Sequence, residues 1–361
     1  MVYPDTFRGY AHTKEGTKNV VPVLKEIEFK PKVFAEHDVD IKVVACGVCG
    51  SDVHSVCGEW GSTDYPLIPG HEIVGHVVRV GSKVTTVKVG DRVGVGAQSF
   101  SCLECPDCLA DNEPYCLNSV GTYGGKYENG DKSYGGYSDY ARVHEHFVFT
   151  IPDNLSFEGA APLLCAGITT YSPLVRHGAG PGKTVGIVGI GGLGHFGLMW
   201  AKALGAEVYA LSRSESKKAD AIKLGADHYV ATGVDGWHKT VERKFDFILC
   251  CANSADNFDL NSYLKTLKVG GHFINVGLPE DNYTVHPTSF LKNASFLGSS
   301  LLGSRKEIQD MLKLASEQKL EAWHSTIPVN EEGVYKALDG CKRGTPKYRY
   351  VLTNYEQGFT L

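Results

Sequence analysis

The stretch TVGIVGIGGLGHFGLMWAKALG, residues 184–205, decides the fold. Its first six residues, TVGIVG, read as a short apolar strand. Gly189-Ile190-Gly191-Gly192-Leu193-Gly194 then fits the pattern G-x-G-x-x-G. The apolar run 196–205 that follows reads as a helix. Strand before and helix after is the context in which this pattern marks a dinucleotide site. The first glycine allows a tight turn. The second lets a pyrophosphate approach the backbone, the third lets helix pack on strand, and the helix N-terminus attracts phosphate. A purely structural glycine-rich turn is the competing reading. Downstream the alternation continues. EVYALS (207–212), HYVA (228–231), FDFILCC (245–251) and HFINVG (272–277) read as strands, and 217–225 and 306–318 as helices. Strands alternating with helices imply parallel βαβ units, so the expected class is α/β with a doubly wound parallel sheet.

The end of the second strand bears on the cofactor. A unit that binds NAD usually places Asp or Glu there, to hydrogen-bond the ribose 2′-hydroxyl. Here the chain reads Leu211-Ser212-Arg213-Ser214, with Lys217 shortly after. Two cations and two hydroxyls suit a 2′-phosphate, and no carboxylate repels one. The expectation is NADP(H). Solvated charges at a helix start are the plainer reading, but they leave the missing acid unexplained.

Upstream of about residue 149 the grammar differs. Segments 40–46, 72–81, 91–97 and 140–149 read as short strands between Gly, Asp and Ser turns, an antiparallel, barrel-like pattern. Within this half, Cys102, Cys105, Cys108 and Cys116 are spaced C-x2-C-x2-C-x7-C. Four thiols this close can converge on one tetrahedral zinc. Pro106, Asp111, Asn112 and Pro114 make the segment a loop, and a loop without its own core can be pinned by a metal. An iron–sulfur cluster is the rival, although its compact run ends C-x3-C-P and the last gap here does not. Disulfides or unligated thiols are a third possibility.

A second constellation is dispersed. Cys49 opens CGSDVH, Gly70-His71-Glu72 begins another strand, and Cys165 sits in PLLCAGIT. Singly each has a dull interpretation as a buried thiol or a satisfied histidine. Together they offer Cys2His, the ligand set of a catalytic zinc that keeps its fourth position open. Asp52 is placed to orient His71 through its other ring nitrogen, and Glu72 to be a fourth ligand when substrate is absent. For Cys46, Cys57, Cys250, Cys251 and Cys341 the reading is a small buried hydrophobe.

Bulk properties narrow the classes. A chain of 361 residues suits two domains rather than one core. Net charge is -5 with no long basic run, which argues against nucleic acid or an anionic membrane as partner. The first sixteen residues carry no apolar or Arg-rich leader pattern, and no apolar run has the length of a membrane span. Eleven cysteines then suggest a reducing, cytoplasmic setting.

CGVCGSDVH, PGHEIVG, the four-cysteine segment, PLLCAGIT, GIGGLG and KYRYVL follow one another along the whole chain. In this order they resemble the zinc-dependent medium-chain alcohol dehydrogenases, and most of all the fungal NADP-dependent cinnamyl-type group. The resemblance implies a GroES-like β-rich catalytic domain over 1–165, a Rossmann domain over 166–299, and a return to the catalytic domain over 300–361. It implies two zinc ions per chain. Cys49, His71 and Cys165 resemble the catalytic ligands, Glu72 the carboxylate that ligates in some states, and the four clustered cysteines the structural site. Ser51 resembles the hydroxyl that receives the substrate proton, and His54 the far end of that relay. Thr169, Val276 and Gly277 resemble contacts to the nicotinamide side. Arg349 resembles a residue reaching the cofactor phosphates, and Trp60 a pocket-lining aromatic, with ordinary packing as its alternative.

The implied activity is reversible hydride transfer between a primary alcohol and NADP+, with zinc as Lewis acid, running mainly from aldehyde to alcohol. A homodimer is implied as well. A zinc polyol or secondary-alcohol dehydrogenase is the nearest alternative. A zinc-free quinone or enone reductase would lack Cys49, His71 and Cys165 as a set. A zinc-ribbon nucleic-acid module would not explain the dispersed ligand set or the negative charge.

Overall fold

The computed structural model describes residues 4–14, 19–61, 64–256, 258–279 and 281–360. The chain divides into two compact units, Met1–Cys165 with Gly303–Leu361, and Ala166–Leu302. The second junction lies three residues beyond the expected 299. The parallel sheet ends with the strand Phe296–Ser299, and Ser304 already caps the next helix, so the crossover falls between them.

The unit Ala166–Leu302 is built on a six-stranded sheet. In spatial order its strands are His228–Ala231, Glu207–Ser212, Thr184–Val188, Phe245–Cys250, Leu267–Asn275 and Phe296–Ser299. Numbered along the chain this is 3-2-1-4-5-6, and every pairing is parallel. That is the doubly wound order, which reverses direction beside the first strand. All five residues of Thr184–Val188 are buried, as a central parallel strand covered on both faces requires. Helix Gly194–Ala203 follows it, with Phe196, Leu198 and Trp200 fully buried. Each such side chain contributes roughly 1.5–3 kcal/mol by leaving water. The strand expected over 272–277 begins earlier, at Leu267, and ends at Asn275; Gly270, at φ +73°, lies where its pairing with Phe245–Cys250 is irregular.

The other unit carries a seven-stranded sheet. Its path runs His324–Pro328, Arg349–Thr353, Asp38–Val48, Ile73–Val80, Arg92–Val95 and Phe149–Thr150, with Tyr140–His144 also paired to Asp38–Val48. The first pair is parallel and the others are antiparallel. The two strands supplied by the C-terminal segment therefore complete a sheet begun by the N-terminal one. The strand expected over 140–149 is broken by a 3-10 turn, Glu145–Phe147. There Glu145 accepts hydrogen bonds from Thr85 N and Thr86 N at 2.9 and 3.1 Å, which turns the backbone out of the ladder. Strand Phe7–Ala11, paired with Lys25–Phe29, was not expected from the sequence.

Helix Arg305–Gln318 is started by a capping box. Ser304 Oγ accepts from Glu307 N at 3.2 Å, and Glu307 accepts from Ser304 N at 2.8 Å, a device worth about 1 kcal/mol. Among the described residues no helix is long and apolar enough to cross a membrane.

Candidate metal centres and dinucleotide loop

Backbone register assembles the dispersed set. Strand Asp38–Val48 pairs antiparallel with Ile73–Val80, Cys46 opposite Ile73, so the chain ends bearing Cys49 and His71 emerge side by side. Gly47 N donates to Glu72 O at 2.9 Å. A Cβ at Gly47 would lie 1.9 Å from Glu72 Oε2, so only glycine lets the carboxylate lie there. Cys165 ends a 3-10 turn, Ala161–Leu164, in the same unit.

Cys49, His71, Glu72 and Cys165 each present a ligand atom, and all four lie within 4.8 Å of one another. All four are buried. Cys49 Sγ is 3.9 Å from Cys165 Sγ, and His71 Nε2 is 3.1 Å from Cys165 Sγ. Two sulfurs each about 2.3 Å from a tetrahedral zinc sit about 3.8 Å apart, so the donor set suits that ion. Glu72 Oε2 is buried and has no hydrogen-bond partner, which is unusual for a carboxylate and fits a cation ligand.

Asp52 organises the set. Its carboxylate accepts from Cys49 N at 2.9 Å, Gly70 N at 3.1 Å and Tyr137 Oη at 3.2 Å, and lies 3.2 Å from His71 Nδ1. The proton of His71 is thereby held on Nδ1, which leaves Nε2 as the ligating nitrogen. Burial opposes a charge on His71, but Asp52 and Cys49 outweigh it and raise its pKa. Between the thiols, the hydrogen bond from Cys165 favours the Cys49 thiolate and lowers it, while Cys165 is raised. Burial pushes Glu72 up to about 7, with Arg349 pulling the other way.

Around these ligands stand Ser51 and His54, on the short helix Gly50–Val56. Three residues apart, they share a helix face. Ser51 Oγ is 3.7 Å from Cys49 Sγ. His54 Nδ1 is 2.5 Å from Glu59 Oε2, and the His54 ring stacks on Trp60 at 4.8 Å. Trp60 is half exposed beyond that stack. The sequence reading missed Glu59 and also Tyr123, whose ring packs 5.5 Å from His71 and whose hydroxyl is 3.4 Å from Ser55 Oγ. No motif flagged either. Arg349, expected at the cofactor phosphates, is buried here in an ion pair with Glu72. Its strand pairs Tyr350 with Val48, so the register carries it to the strand end next to Cys49.

Cys102, Cys105, Cys108 and Cys116 also lie within one 4.8 Å cluster. Cys102 Sγ is 3.9 Å from Cys108 Sγ and 3.5 Å from Cys116 Sγ, distances that again suit a tetrahedral ion. None of the eleven cysteines is paired in a disulfide. The hydrogen bonds of Glu104 N and Cys105 N lower Cys102 to about 7, whereas burial raises Cys108 to about 12. Lobe and body are joined by Glu113, whose Oε1 is 2.9 Å from His146 Nε2.

In the other unit, the glycine loop has the expected form. Gly189 has φ +82°, a left-handed turn directly after the strand. A Cβ at Gly194 would lie 1.9 Å from Gly189 O, so helix and loop approach closely only without one. Next to Gly191 a Cβ would meet nothing within 4 Å, leaving its backbone open to a ligand. Leu193 occupies the N-cap of the helix, and Gly192 lies between. Ser212 ends its strand and Arg213 is exposed after it. Lys217 Nζ donates to Ile190 O at 2.5 Å, so this cation is carried back to the glycine loop. Val276 is buried, with its N–H 2.9 Å from Cys250 O, and Gly277 follows it. Thr169 is half-buried on helix Ala166–Arg176.

Comparison with known proteins agrees with this architecture. Residues 35–153 match the alcohol dehydrogenase GroES-like domain, and residues 192–317 match the zinc-binding dehydrogenase family. The chain belongs to the zinc-binding alcohol dehydrogenases. It is 49% identical over the full length of both chains to NADP-dependent alcohol dehydrogenase 6 of Saccharomyces cerevisiae. It is similar to a cinnamyl alcohol dehydrogenase of Sorghum bicolor, with TM-score 0.91, 33% identity and 99% of each chain covered. A structure of the Helicobacter pylori protein CAD complexed with NADP(H) has TM-score 0.88 and 34% identity, covering 98% of this chain and 99% of that one.

Proposed function

We propose that this chain is a zinc-dependent NADP(H) alcohol dehydrogenase that interconverts primary alcohols and aldehydes, including aromatic and allylic ones. The observation that carries the reading is the buried convergence of Cys49, His71, Glu72 and Cys165 beside Ser51. Zinc held by Cys49, His71 and Cys165 supplies a Lewis acid for the substrate oxygen, and NADP(H) supplies or takes the hydride. The protein does the rest. Asp52 keeps Nε2 of His71 available. Ser51 accepts the hydroxyl proton during oxidation and returns it during reduction. His54 passes that proton to solvent. The second zinc, on Cys102, Cys105, Cys108 and Cys116, holds a lobe that has little core of its own.

Dinucleotide binding belongs to Ala166–Leu302 and the chemistry to the other unit. Gly189, Gly191, Gly192, Leu193 and Gly194 take the pyrophosphate. Ser212, Arg213 and Lys217 take the 2′-phosphate, and Thr169, Val276 and Gly277 the nicotinamide side. Trp60 borders the substrate pocket. We place the enzyme in the cytoplasm as a homodimer. The last strand of the parallel sheet, Phe296–Ser299, is an edge, and Phe296 and Leu297 on it are 57% and 41% exposed, as a strand awaiting a second copy would be.

The test is NADPH oxidation over a panel of aldehydes and ketones and NADP+ reduction with sorbitol and 2-butanol, with sedimentation to fix the oligomer. Cinnamaldehyde and branched aliphatic aldehydes should be reduced, with sorbitol and 2-butanol oxidised poorly. A preference for sorbitol would move the assignment to polyol oxidation.

A further inference from the structure

His54 is held on two sides, and the holding continues to a residue 288 positions further along the chain. Its Nδ1 is 2.5 Å from Glu59 Oε2. The other oxygen, Glu59 Oε1, accepts from Lys342 Nζ at 2.6 Å. The same ammonium lies 3.7 Å from Cys57 Sγ. Glu59 is almost completely buried, at 5% side-chain exposure, while Lys342 keeps 30%. Lys342 is the last residue of helix Glu331–Lys342, where a cation also complements the helix dipole. Burial works against its charge, and the Glu59 carboxylate more than offsets that and raises its pKa.

We propose that Lys342 is a positioning residue of the proton outlet: by fixing Glu59 it holds the His54 proton on Nδ1 and keeps Nε2 as the ring's basic nitrogen. The inference rests on the dehydrogenase reading, since it needs a proton to move. A carboxylate fixed at one oxygen by a cation presents the other in one orientation, and the imidazole hydrogen-bonded to it keeps one tautomer. During alcohol oxidation Nε2 gains the proton that left the substrate hydroxyl, while Nδ1–H stays with Glu59. The imidazolium then gives the Nε2 proton to solvent and the neutral ring is restored. Aldehyde reduction runs the same transfers backwards. Without Lys342, Glu59 is free to turn, and the ring loses its fixed tautomer.

The experiment compares Lys342→Met, Lys342→Arg and His54→Gln in the zinc-loaded enzyme, in both directions, with and without added imidazole buffer. Lys342→Met should lower kcat on the order of tenfold in both directions, leave KM for NADP+ unchanged, and recover with imidazole, which replaces an impaired proton carrier. Lys342→Arg should retain most of the activity. A merely structural lysine would give neither the buffer rescue nor the split between kcat and KM. Should Lys342→Met not fold, Lys342→Gln is read by the same criteria. Wild-type turnover in Lys342→Met beside an impaired His54→Gln overturns this inference alone. Wild-type turnover in His54→Gln overturns both the inference and the relay on which it rests.

Discussion

Arg349 and Glu72, 277 residues apart, form an ion pair in which the side chains are only 5% and 0% exposed. Removing two charges from water is costly, and their attraction balances that cost only while both are present. Arg349→Met should therefore destabilise the protein by about 3–5 kcal/mol, because Glu72 is left buried and unpaired. Adding Glu72→Gln should recover most of the loss. Urea unfolding of the two single variants and the double variant measures the coupling, and simple additivity would show that the pair is not one unit.

Cys49→Ser removes one thiolate from the dispersed set without touching the four-cysteine lobe. Zinc content should fall from about two to about one per chain. Turnover should be nearly abolished, while circular dichroism is unchanged. Two retained zinc ions with full activity would refute the assignment of this set as the catalytic centre.

Cys105→Ser should do the opposite. The lobe loses its metal, and with it the stability that binding provides, so the melting temperature should drop by several degrees, about 4 °C or more. Residual activity at low temperature should remain close to that of the parent. An unchanged melting temperature with bound metal would count against a structural zinc.

Arg213→Asp places a carboxylate where a 2′-phosphate is expected. The ratio of kcat/KM for NADPH over NADH should fall by roughly two orders of magnitude, since a charge-assisted contact worth about 1.5–3 kcal/mol is replaced by repulsion. An unaltered ratio would return Arg213 to the class of solvated charges.

Glu145 gives a pH signature that involves no ligand of either metal set. Burial raises its pKa, but the hydrogen bonds from His37 at 2.7 Å and from Thr85 and Thr86 outweigh burial and hold it at about 2. Its folded value lies below its unfolded one, so its contribution is complete above pH ~4.5 and is lost as the pH falls toward ~2. Glu145→Gln should cost roughly 2 kcal/mol at pH 7, after allowance for solvent screening. The gap to the parent should narrow progressively in urea unfolding below pH ~4.5. A pH-independent gap would show that Glu145 contributes by packing rather than by charge.

The local parts of this protein were legible from its residues. The strand, glycine loop and helix at 184–205 are set by apolar periodicity and by the steric demands of Gly189 and Gly194. The four-cysteine cluster was readable because a short loop cannot scatter four thiols very far. The ends of elements were harder. The break at Glu145–Phe147 depends on amides sixty residues away, and periodicity carries no trace of it.

Local pattern along the chain was enough for the class: a doubly wound sheet, a dinucleotide loop without an acid at its second strand, and two sets of metal-type ligands. Which side chain meets which was set by packing between distant segments. The resemblance places Arg349 near the cofactor phosphates, and the antiparallel register of Arg349–Thr353 on Asp38–Val48 adds a partner that no motif announces, Glu72. Glu59 carries no motif although it meets His54 from only five residues away, and Lys342 reaches Glu59 only when helix Glu331–Lys342 packs in place. The physical reason is range. Propensity, turns and clustered ligands act over a few residues, whereas an ion pair between distant positions is chosen by strand register and helix packing, which no local pattern encodes.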